Sequence, residues 1–204
     1  MRLSLTILPL PLRRFLLGLA VLPLAVACSS NGSGGQDAVQ DATAMNEHKI
    51  ADADITKKQE ADAEFLVRAT SNALLEVELG KLAQTRGTAP AVRAFGTAAV
   101  QSRPEMLTAL RTLAAAKQLA VPSALGDDEQ SAYHEASTQT GSQLDKRVMA
   151  LLVKIQKQDE DAFDDMKDDA YDGDIRALAA KYYTPVEEQL DAAKEAADAA
   201  DKLP

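Results

Sequence analysis

Four polar residues interrupt the apolar stripes of this sequence, and their side chains are the first candidates for chemistry. Glu76, Arg103, Asp159 and Gln189 each fall in phase with hydrophobic residues spaced three or four positions apart. A charge on such a stripe is costly unless it is paired. The spacing predicts a buried polar layer in which Glu76 pairs with Arg103, with Asp159 and Gln189 nearby. The alternative is that the helices rotate slightly and these groups reach water.

Carboxylates in a helical core can also bind a transition metal, which makes a centre around Glu76 and Asp159 the competing hypothesis. Di-iron bundles carry a Glu-x-x-His motif on two helices. Neither His48 nor His134 follows a glutamate at that spacing. We expect His48 to be a solvated linker residue and His134 a surface residue. The sequence therefore predicts no metal and no cofactor.

Other catalytic and ion-binding motifs find little support. An EF-hand loop starting at Asp168 would have Ala170 and Ala179 where calcium ligands are required. The acidic run from Asp159 to Asp174 is therefore interpreted, apart from Asp159, as a solvated face. The chain has no Gly-x-Ser-x-Gly motif and no serine–histidine pairing that would suggest a nucleophile. We predict that the protein is not an enzyme.

Composition and charge restrict the fold class and the partners. Hydrophobic residues make up 46% of the chain and aromatic residues only 4%, a balance that favours helices packed through small side chains. Residues 1–27 contain three arginines and no acid, so the remainder carries 19 basic and 31 acidic residues, a net charge of -12. Such a surface repels phosphate backbones, which argues against a nucleic-acid partner.

The N-terminus has the layout of a lipoprotein export signal. Arginines precede a short apolar run that ends in small residues, and the sequence Leu24-Ala-Val-Ala-Cys28 is similar to a lipobox. We predict a signal peptide over 1–27 and lipidation of Cys28, while ordinary cleavage after Ala27 stays an alternative. Because Ser29 is not aspartate, the predicted destination is the outer membrane. The protein would face the periplasm, held in the membrane by its N-terminal lipid, with an unidentified envelope protein as the candidate partner.

Polar, small residues over 28–50 predict a flexible tether, and helical periodicity dominates the rest. Helix start and stop signals predict an all-α domain over 51–200 and a frayed tail over 201–204. Four amphipathic helices of similar length are best buried as an antiparallel four-helix bundle, with a short connecting helix between the second and third long helices. The predicted segments are 56–86, 90–119, 127–138, 142–172 and 174–198, with Thr56 and Ser142 as caps.

The amino-acid sequence of the first long helix resembles that of a known family. The stretch from Phe65 to Ala83, FLVRATSNALLEVELGKLA, resembles the opening motif of the bacterial family called domain of unknown function 4142. The segments 90–95, 144–145 and 185–190 are similar to later motifs of that family. The resemblance implies a ferritin-like four-helix bundle in the periplasm and no established activity.

Three positions depart from the family pattern. The family has histidines in its second, third and fourth helices, and the matching positions here hold Arg103, Gln156 and Gln189. If those histidines bind a metal, this chain has lost that function. The sequence thus favours a lipid-anchored, non-enzymatic binding or structural module. The alternative is a ferritin-like metal-binding or redox protein with a carboxylate site around Glu76 and Asp159.

Overall fold

The computed structural model describes residues 36–51 and 57–203, and within these ranges it contains six α-helices and no strand. The predicted all-α class is therefore confirmed, and the ends of the long helices fall within a few residues of the predicted ones. The helices are α1 (Gln36–Ala51), α2 (Lys57–Arg86), α3 (Pro90–Ala116), α4 (Asp127–Ser137), α5 (Gly141–Asp169) and α6 (Gly173–Asp201).

Local chemistry explains where several helices begin. Pro90 opens α3, where its missing N–H would have no intrahelical partner in any case. Asp172 caps α6, because its Oδ1 accepts hydrogen bonds from the backbone N–H groups of Asp174 at 2.8 Å and Ile175 at 3.3 Å. The predicted cap of α5 is wrong by two residues: Thr140, not Ser142, is the N-cap residue. Thr56 lies outside the described residues.

The long helices pack in a closed ring. Helix α2 contacts α3 and α5, and α6 contacts the same two helices, so each apolar stripe has two neighbours. The buried residues form two apolar clusters, one around Leu79 and Leu152 and the other around Phe65 and Phe163. Along each long helix, the change from one cluster to the other occurs at or next to a predicted polar position. These positions are Glu76, Arg103, Asp159 and Gln189.

Two buried carboxylates tie the two helical hairpins together. Asp145 of α5 accepts the backbone N–H groups of the α2–α3 turn, residues 87–89, at 2.6–3.0 Å. Asp62 of α2 accepts those of the α5–α6 turn, residues 170–172, at 3.0 and 2.8 Å. The two aspartates stand 83 positions apart, at 62 and 145. Each hairpin thus holds the turn of the other.

An arginine in each hairpin repeats the same spacing. Arg93 donates to the carbonyl groups of Gly87 and Thr88 at 2.9 and 2.6 Å. Arg176, 83 positions later, donates to the matching carbonyl groups of the α5–α6 turn, residues 170 and 171. Because the carboxylate and the guanidinium both recur, the α2–α3 and α5–α6 hairpins form an internal structural repeat.

The segment predicted as a flexible tether is helical from Gln36 onward, which corrects that prediction for residues 36–50. Helix α1 packs against α2 and α4 and buries Ala42, Asn46 and Ile50, which are spaced four residues apart. The polar Asn46 in the middle of this narrow stripe conceals its periodicity in the sequence. Residues 28–35, including Cys28, lie outside the described part, as does the predicted signal peptide.

Side-chain bonds to the end of α3 hold α1 in place. Asn46 Nδ2 donates to the Ala120 carbonyl at 2.9 Å, and the Ala120 N–H donates to Asn46 Oδ1 at 2.7 Å. Lys49 Nζ donates to the carbonyl groups of Lys117 and Gln118, at 2.8 and 3.0 Å. These carbonyl groups follow the last turn of α3, where a cation is favoured by the helix dipole. These contacts with the end of α3, more than the intrinsic helix propensity of its own residues, stabilise α1.

The C-terminus is more regular than predicted. Helix α6 includes Asp201, and the Leu203 carbonyl accepts a hydrogen bond from Lys146 Nζ at 3.2 Å. The predicted frayed tail is therefore wrong for residues 201–203, whereas Pro204 lies outside the described residues. None of the helices in the described ranges has the length and apolarity needed to cross a membrane.

A buried polar cluster and the cleft beside it

Glu76 and Arg103 form an ion pair in the interior of the bundle. Both lie near the middle of their helices, and the α2–α3 hairpin places them opposite each other. Arg103 Nε pairs with Glu76 Oε2, while the side chains are 3% and 0% exposed. A second guanidinium nitrogen, Nη1, lies 3.5 Å from the sulfur of Met106, a weak acceptor. Because both side chains are buried, water cannot replace either partner of the ion pair.

A second carboxylate belongs to the same cluster. Asp159 of α5 is 1% exposed, and its Oδ1 accepts a hydrogen bond of 2.6 Å from Asn72 Nδ2. The positive charge of Arg103 also acts on Asp159. Asn72 was not among the residues predicted from the sequence, although its position four residues before Glu76 on the same helical face was an available signal. The cluster therefore contains one guanidinium and two carboxyl groups.

Burial raises the pKa of both carboxyl groups. The pKa of Glu76 rises to about 8, because loss of solvation and the charge of Asp159 outweigh the attraction of Arg103. The pKa of Asp159 rises to about 6, again through loss of solvation, against the lowering effects of Arg103 and Asn72. A single fixed cation balances only one buried carboxylate. Near neutral pH the two carboxyl groups therefore share about one proton, which keeps the cluster close to neutral.

The internal repeat explains why two carboxyl groups meet one arginine. Glu76 and Asp159 are 83 positions apart, the same interval that separates the paired aspartates and arginines of the two hairpins. The two acids are thus equivalent positions of α2 and α5. The counterpart of Arg103 is Val186 on α6, which is completely buried. Both halves of the repeat therefore carry an acid at this position, but only the first half carries the arginine.

The two glutamines of the sequence analysis occupy different surroundings. Gln156 is fully buried on α5, three residues before Asp159, and neither of its amide atoms has a protein partner within the described residues. Gln189 is half-buried, and its Nε2 donates to Ser102 Oγ at 2.8 Å, across the contact between α6 and α3. Gln189 therefore joins α6 to α3 and makes no hydrogen bond to the ion pair.

A cleft of about 1000 Å³ lies next to this cluster, between α1 and α2. Glu129 of α4 and Gln158 of α5 contribute to its walls, and Ser71 and Asn72 line it from α2. Asn72 thus faces the cleft while its amide holds Asp159. A pocket of this volume accommodates a small organic molecule. The cleft was not predictable from the sequence, because one of its walls is α1, which was predicted as a tether.

The comparisons with known proteins place the chain in a family. Residues 38–196 match the family model described as "Domain of unknown function (DUF4142)". The chain belongs to the DUF4142 family. The matched region includes most of α1, all of α2 to α5 and most of α6. No curated protein and no solved structure gives a significant match.

The donor set of this DUF4142 domain does not suit a transition metal. Arg103 directly contacts Glu76, so a fixed cation already occupies the side of the carboxylate that a metal would need. The neighbouring Gln156 supplies only a neutral amide, a weaker ligand than histidine. Within the described ranges no group of three or more His, Cys, Asp and Glu side chains is arranged to hold a metal ion.

The remaining candidates of this DUF4142 chain lie on its surface. His48 and His134 are exposed, on α1 and α4. In the acidic run on α5, Lys167 pairs with Asp164 and Asp168, each at 2.7 Å. Exposed pairs of this kind contribute little to stability. The side chains that could bind a ligand are therefore found mainly in the buried cluster and the adjoining cleft.

Proposed function

We propose that this DUF4142 chain is a non-enzymatic binding module of the cell envelope, anchored in the outer membrane by lipid on Cys28 and facing the periplasm. The anchor is supported by the basic, apolar and small-residue layout of positions 1–28. Several acyl chains on one cysteine hold a protein far more firmly than a single chain does.

The observation that carries a binding role is the cleft between α1 and α2. Its volume of about 1000 Å³ is at the upper end of the range typical of small-molecule sites. The cleft is a partly enclosed groove, the concave shape that small-molecule sites commonly have. The cleft also meets the buried cluster through Asn72, which combines an apolar enclosure with fixed polar groups. That combination is typical of a ligand site.

Helices α2, α3, α5 and α6 form, in this proposal, an antiparallel four-helix bundle of the ferritin-like type. The closed ring of helix contacts and the repeat of 83 positions support it. An experimental structure, superposed on ferritin-like proteins, tests this part of the proposal.

The alternative is a metal-binding or redox protein with a carboxylate site around Glu76 and Asp159. The pairing of Glu76 with Arg103 weighs against it. Metal analysis of chelator-treated, refolded protein distinguishes the two functions. Stoichiometric metal that disappears in Glu76→Ala would favour the alternative.

The anchor is tested by labelling cells with a fatty acid and fractionating their membranes. We expect the label on the wild-type chain in the outer membrane and its absence from Cys28→Ser. A matched variant, Ser29→Asp, should keep the lipid and move the protein to the inner membrane. A Cys28→Ser protein that remains membrane-bound after removal of its signal peptide would contradict the proposal.

The binding role is tested by hydrogen exchange on the full-length protein in neutral detergent micelles. Because α1 forms a wall of the cleft, an occupied cleft should slow amide exchange in residues 36–51. The additive is the small-molecule fraction of the envelope of the producing cells. Unchanged exchange with that fraction would reject a small-molecule binding role.

A further inference from the structure

Several polar atoms of the buried cluster have no hydrogen-bond partner among the described residues. Besides the two atoms of the ion pair itself, they are Glu76 Oε1, Asp159 Oδ2, Arg103 Nη2 and both amide atoms of Gln156. All of these residues are at most 2% exposed. Buried polar groups are normally hydrogen-bonded, and each one without a partner costs free energy. So many such atoms in one layer indicate a small molecule bound between them.

The register of α2 and α5 brings Gln156 to the level of Glu76. The two helices are antiparallel, because Asp145 near the start of α5 bonds to the turn after α2. Asn72 and Asp159 are hydrogen-bonded across this pair of helices. Moving back along α5 from Asp159 to Gln156, about 4.5 Å, corresponds to moving forward along α2 from Asn72 to the turn that contains Glu76. The amide and both acids therefore belong to one layer.

Donors and acceptors occur together in this set of atoms, which restricts the kind of molecule that fits. A metal ion would pair with the carboxyl oxygens but would leave the amide and guanidinium N–H groups without an acceptor, and an anion would have the opposite fault. The cluster is close to neutral, so an added charge of either sign would remain uncompensated in the interior. A water molecule both donates and accepts, and buried waters typically make about three hydrogen bonds to otherwise unpartnered groups.

The internal repeat explains why the unpartnered groups gather on the second hairpin. In the first hairpin Glu76 pairs with Arg103, whereas the position equivalent to Arg103 in the second hairpin is the apolar Val186. Gln156 in turn stands where the first hairpin has Ala73. The second hairpin thus has an amide in addition to its acid and no guanidinium of its own. An amide cannot neutralise a carboxylate, but it can hold a bridging molecule beside it.

We propose that the polar layer binds at least one buried water molecule, which bridges the Gln156 amide to the carboxyl groups of Glu76 and Asp159. The water donates to carboxyl oxygens outside the ion pair and accepts from the amide N–H. It is therefore a second polar link between α2 and α5, next to the direct bond from Asn72 to Asp159. This inference is independent of the cleft and of any ligand bound there.

Magnetic relaxation dispersion of the solvent signal, which counts long-lived internal waters, tests the proposal on the full-length protein in neutral detergent. We expect the wild type to hold at least one more such water than Gln156→Met, whose side chain is of similar size but cannot bind water. The matched control is Gln158→Met, the same change at an exposed position of α5, which should keep the wild-type count. Thermal melts show that each variant is folded.

Urea unfolding of the same variants gives an independent sign. If water bridges the amide to the acids, Gln156→Met should raise the equilibrium constant of unfolding about tenfold, because the buried carboxyl oxygens lose their donor. If the amide were dry and unpartnered, methionine should instead stabilise the protein, since an apolar side chain carries no desolvation penalty. A Gln156→Met variant that is more stable than the wild type and has the same water count would therefore contradict the proposal.

A high-resolution crystal structure of the wild-type chain tests the proposal without any substitution. Water within hydrogen-bond distance of the Gln156 amide and of either carboxyl group is the expected result. A direct hydrogen bond from Gln156 to Glu76 or Asp159, with no water in the layer, would overturn the proposal. Equal water counts in the wild type and Gln156→Met would overturn it as well.

Discussion

Arg103 is the residue whose role depends most on its surroundings. Its guanidinium pairs with Glu76, its charge also acts on Asp159, and the bundle buries both carboxyl groups almost completely. A buried ion pair adds little net stability, because the loss of hydration nearly cancels the attraction. Removing one partner is different, since the other charge remains in the interior without compensation. The cluster therefore determines which helices face each other more than it adds to the free energy of unfolding.

Arg103→Ala should lower the free energy of unfolding by about 3–5 kcal/mol, because it leaves the carboxyl groups without their cation. The double variant Glu76→Gln with Arg103→Met should lose much less, since Asp159 keeps Asn72 as its partner and can take up a proton. Urea unfolding at pH 7 measures both. Lys154→Ala, at an exposed position of α5, serves as the control. Equal losses in the single and double variants would contradict a coupled pair.

Glu76 should make the protein more stable in mild acid than at alkaline pH. Its pKa in the folded state is raised from 4.5 to about 8, so the folded chain holds a proton that the unfolded chain releases above pH 4.5. The contribution of this proton is fully present below pH 4.5 and is lost as the pH rises through about 8. Asp159 acts in the same direction between pH 3.8 and about 6.

The measurement is the difference in free energy of unfolding between the wild type and Glu76→Gln, recorded from pH 5 to pH 10. We expect this difference to fall steadily as the pH rises through the pKa of about 8 and to level off roughly one pH unit above it. The subtraction removes the titration of groups that do not interact with Glu76, whereas Asp159 is coupled to it, so the curve reports the pair of acids together. A difference that rises with pH would mean that Arg103 lowers the pKa of Glu76 more than burial raises it.

At the scale of elements, α2 and α3 are joined by a close backbone approach. A Cβ atom added to Gly96 of α3 would stand 2.6 Å from the Gly80 carbonyl and 2.8 Å from the Ala83 side chain of α2. Backbone atoms cannot move aside as a flexible side chain does. The glycine therefore sets the spacing of the hairpin that brings Glu76 opposite Arg103.

Gly96→Ala should destabilise the protein by about 1–3 kcal/mol, the usual effect of overpacking a tight contact. Thermal and urea unfolding measure the loss. Gly173→Ala is the matched control, because its added methyl group would meet only the end of Arg176 at 3.6 Å. An unchanged free energy of unfolding in Gly96→Ala would show that α2 and α3 can move apart without loss of stability.

At the scale of the whole molecule, the two hairpins are fastened at opposite ends by equivalent carboxylates. Asp145 accepts N–H groups from the α2–α3 turn, and Asp62 accepts them from the α5–α6 turn. Each bond joins positions more than 50 residues apart in the chain, so these contacts form only when both hairpins are in place. Each hairpin therefore supplies the carboxylate that accepts the backbone N–H groups in the turn of the other hairpin.

Asp145→Ala should lower the free energy of unfolding by about 2–3 kcal/mol, because it leaves buried N–H groups of the turn without an acceptor. Amide exchange at positions 88 and 89 should accelerate as well. Asp165→Ala removes an exposed carboxylate from the same helix and should change little. Unchanged exchange in the turn would show that solvent can replace the aspartate there.

The sequence by itself determined helices α2 to α6 and the apolar residues that line their buried faces. Hydrophobic periodicity and the signals at Gly87, Pro90 and Gly173 are local, because a helix satisfies its backbone hydrogen bonds within a few residues. Glu76, Arg103 and Asp159 were identifiable for the same reason, since a charge at an apolar position conflicts with the pattern around it.

Only the tertiary structure decided what those residues contact. Asn72 reaches Asp159 across 87 positions, whereas Gln189 turns to Ser102, and no local pattern distinguishes the two outcomes. Helix α1 and the cleft beside it depend on bonds from Asn46 to a backbone 74 positions away. Such choices follow from the rotation and spacing of packed helices, because long-range contacts are selected by the shape of the whole core and not by any single segment.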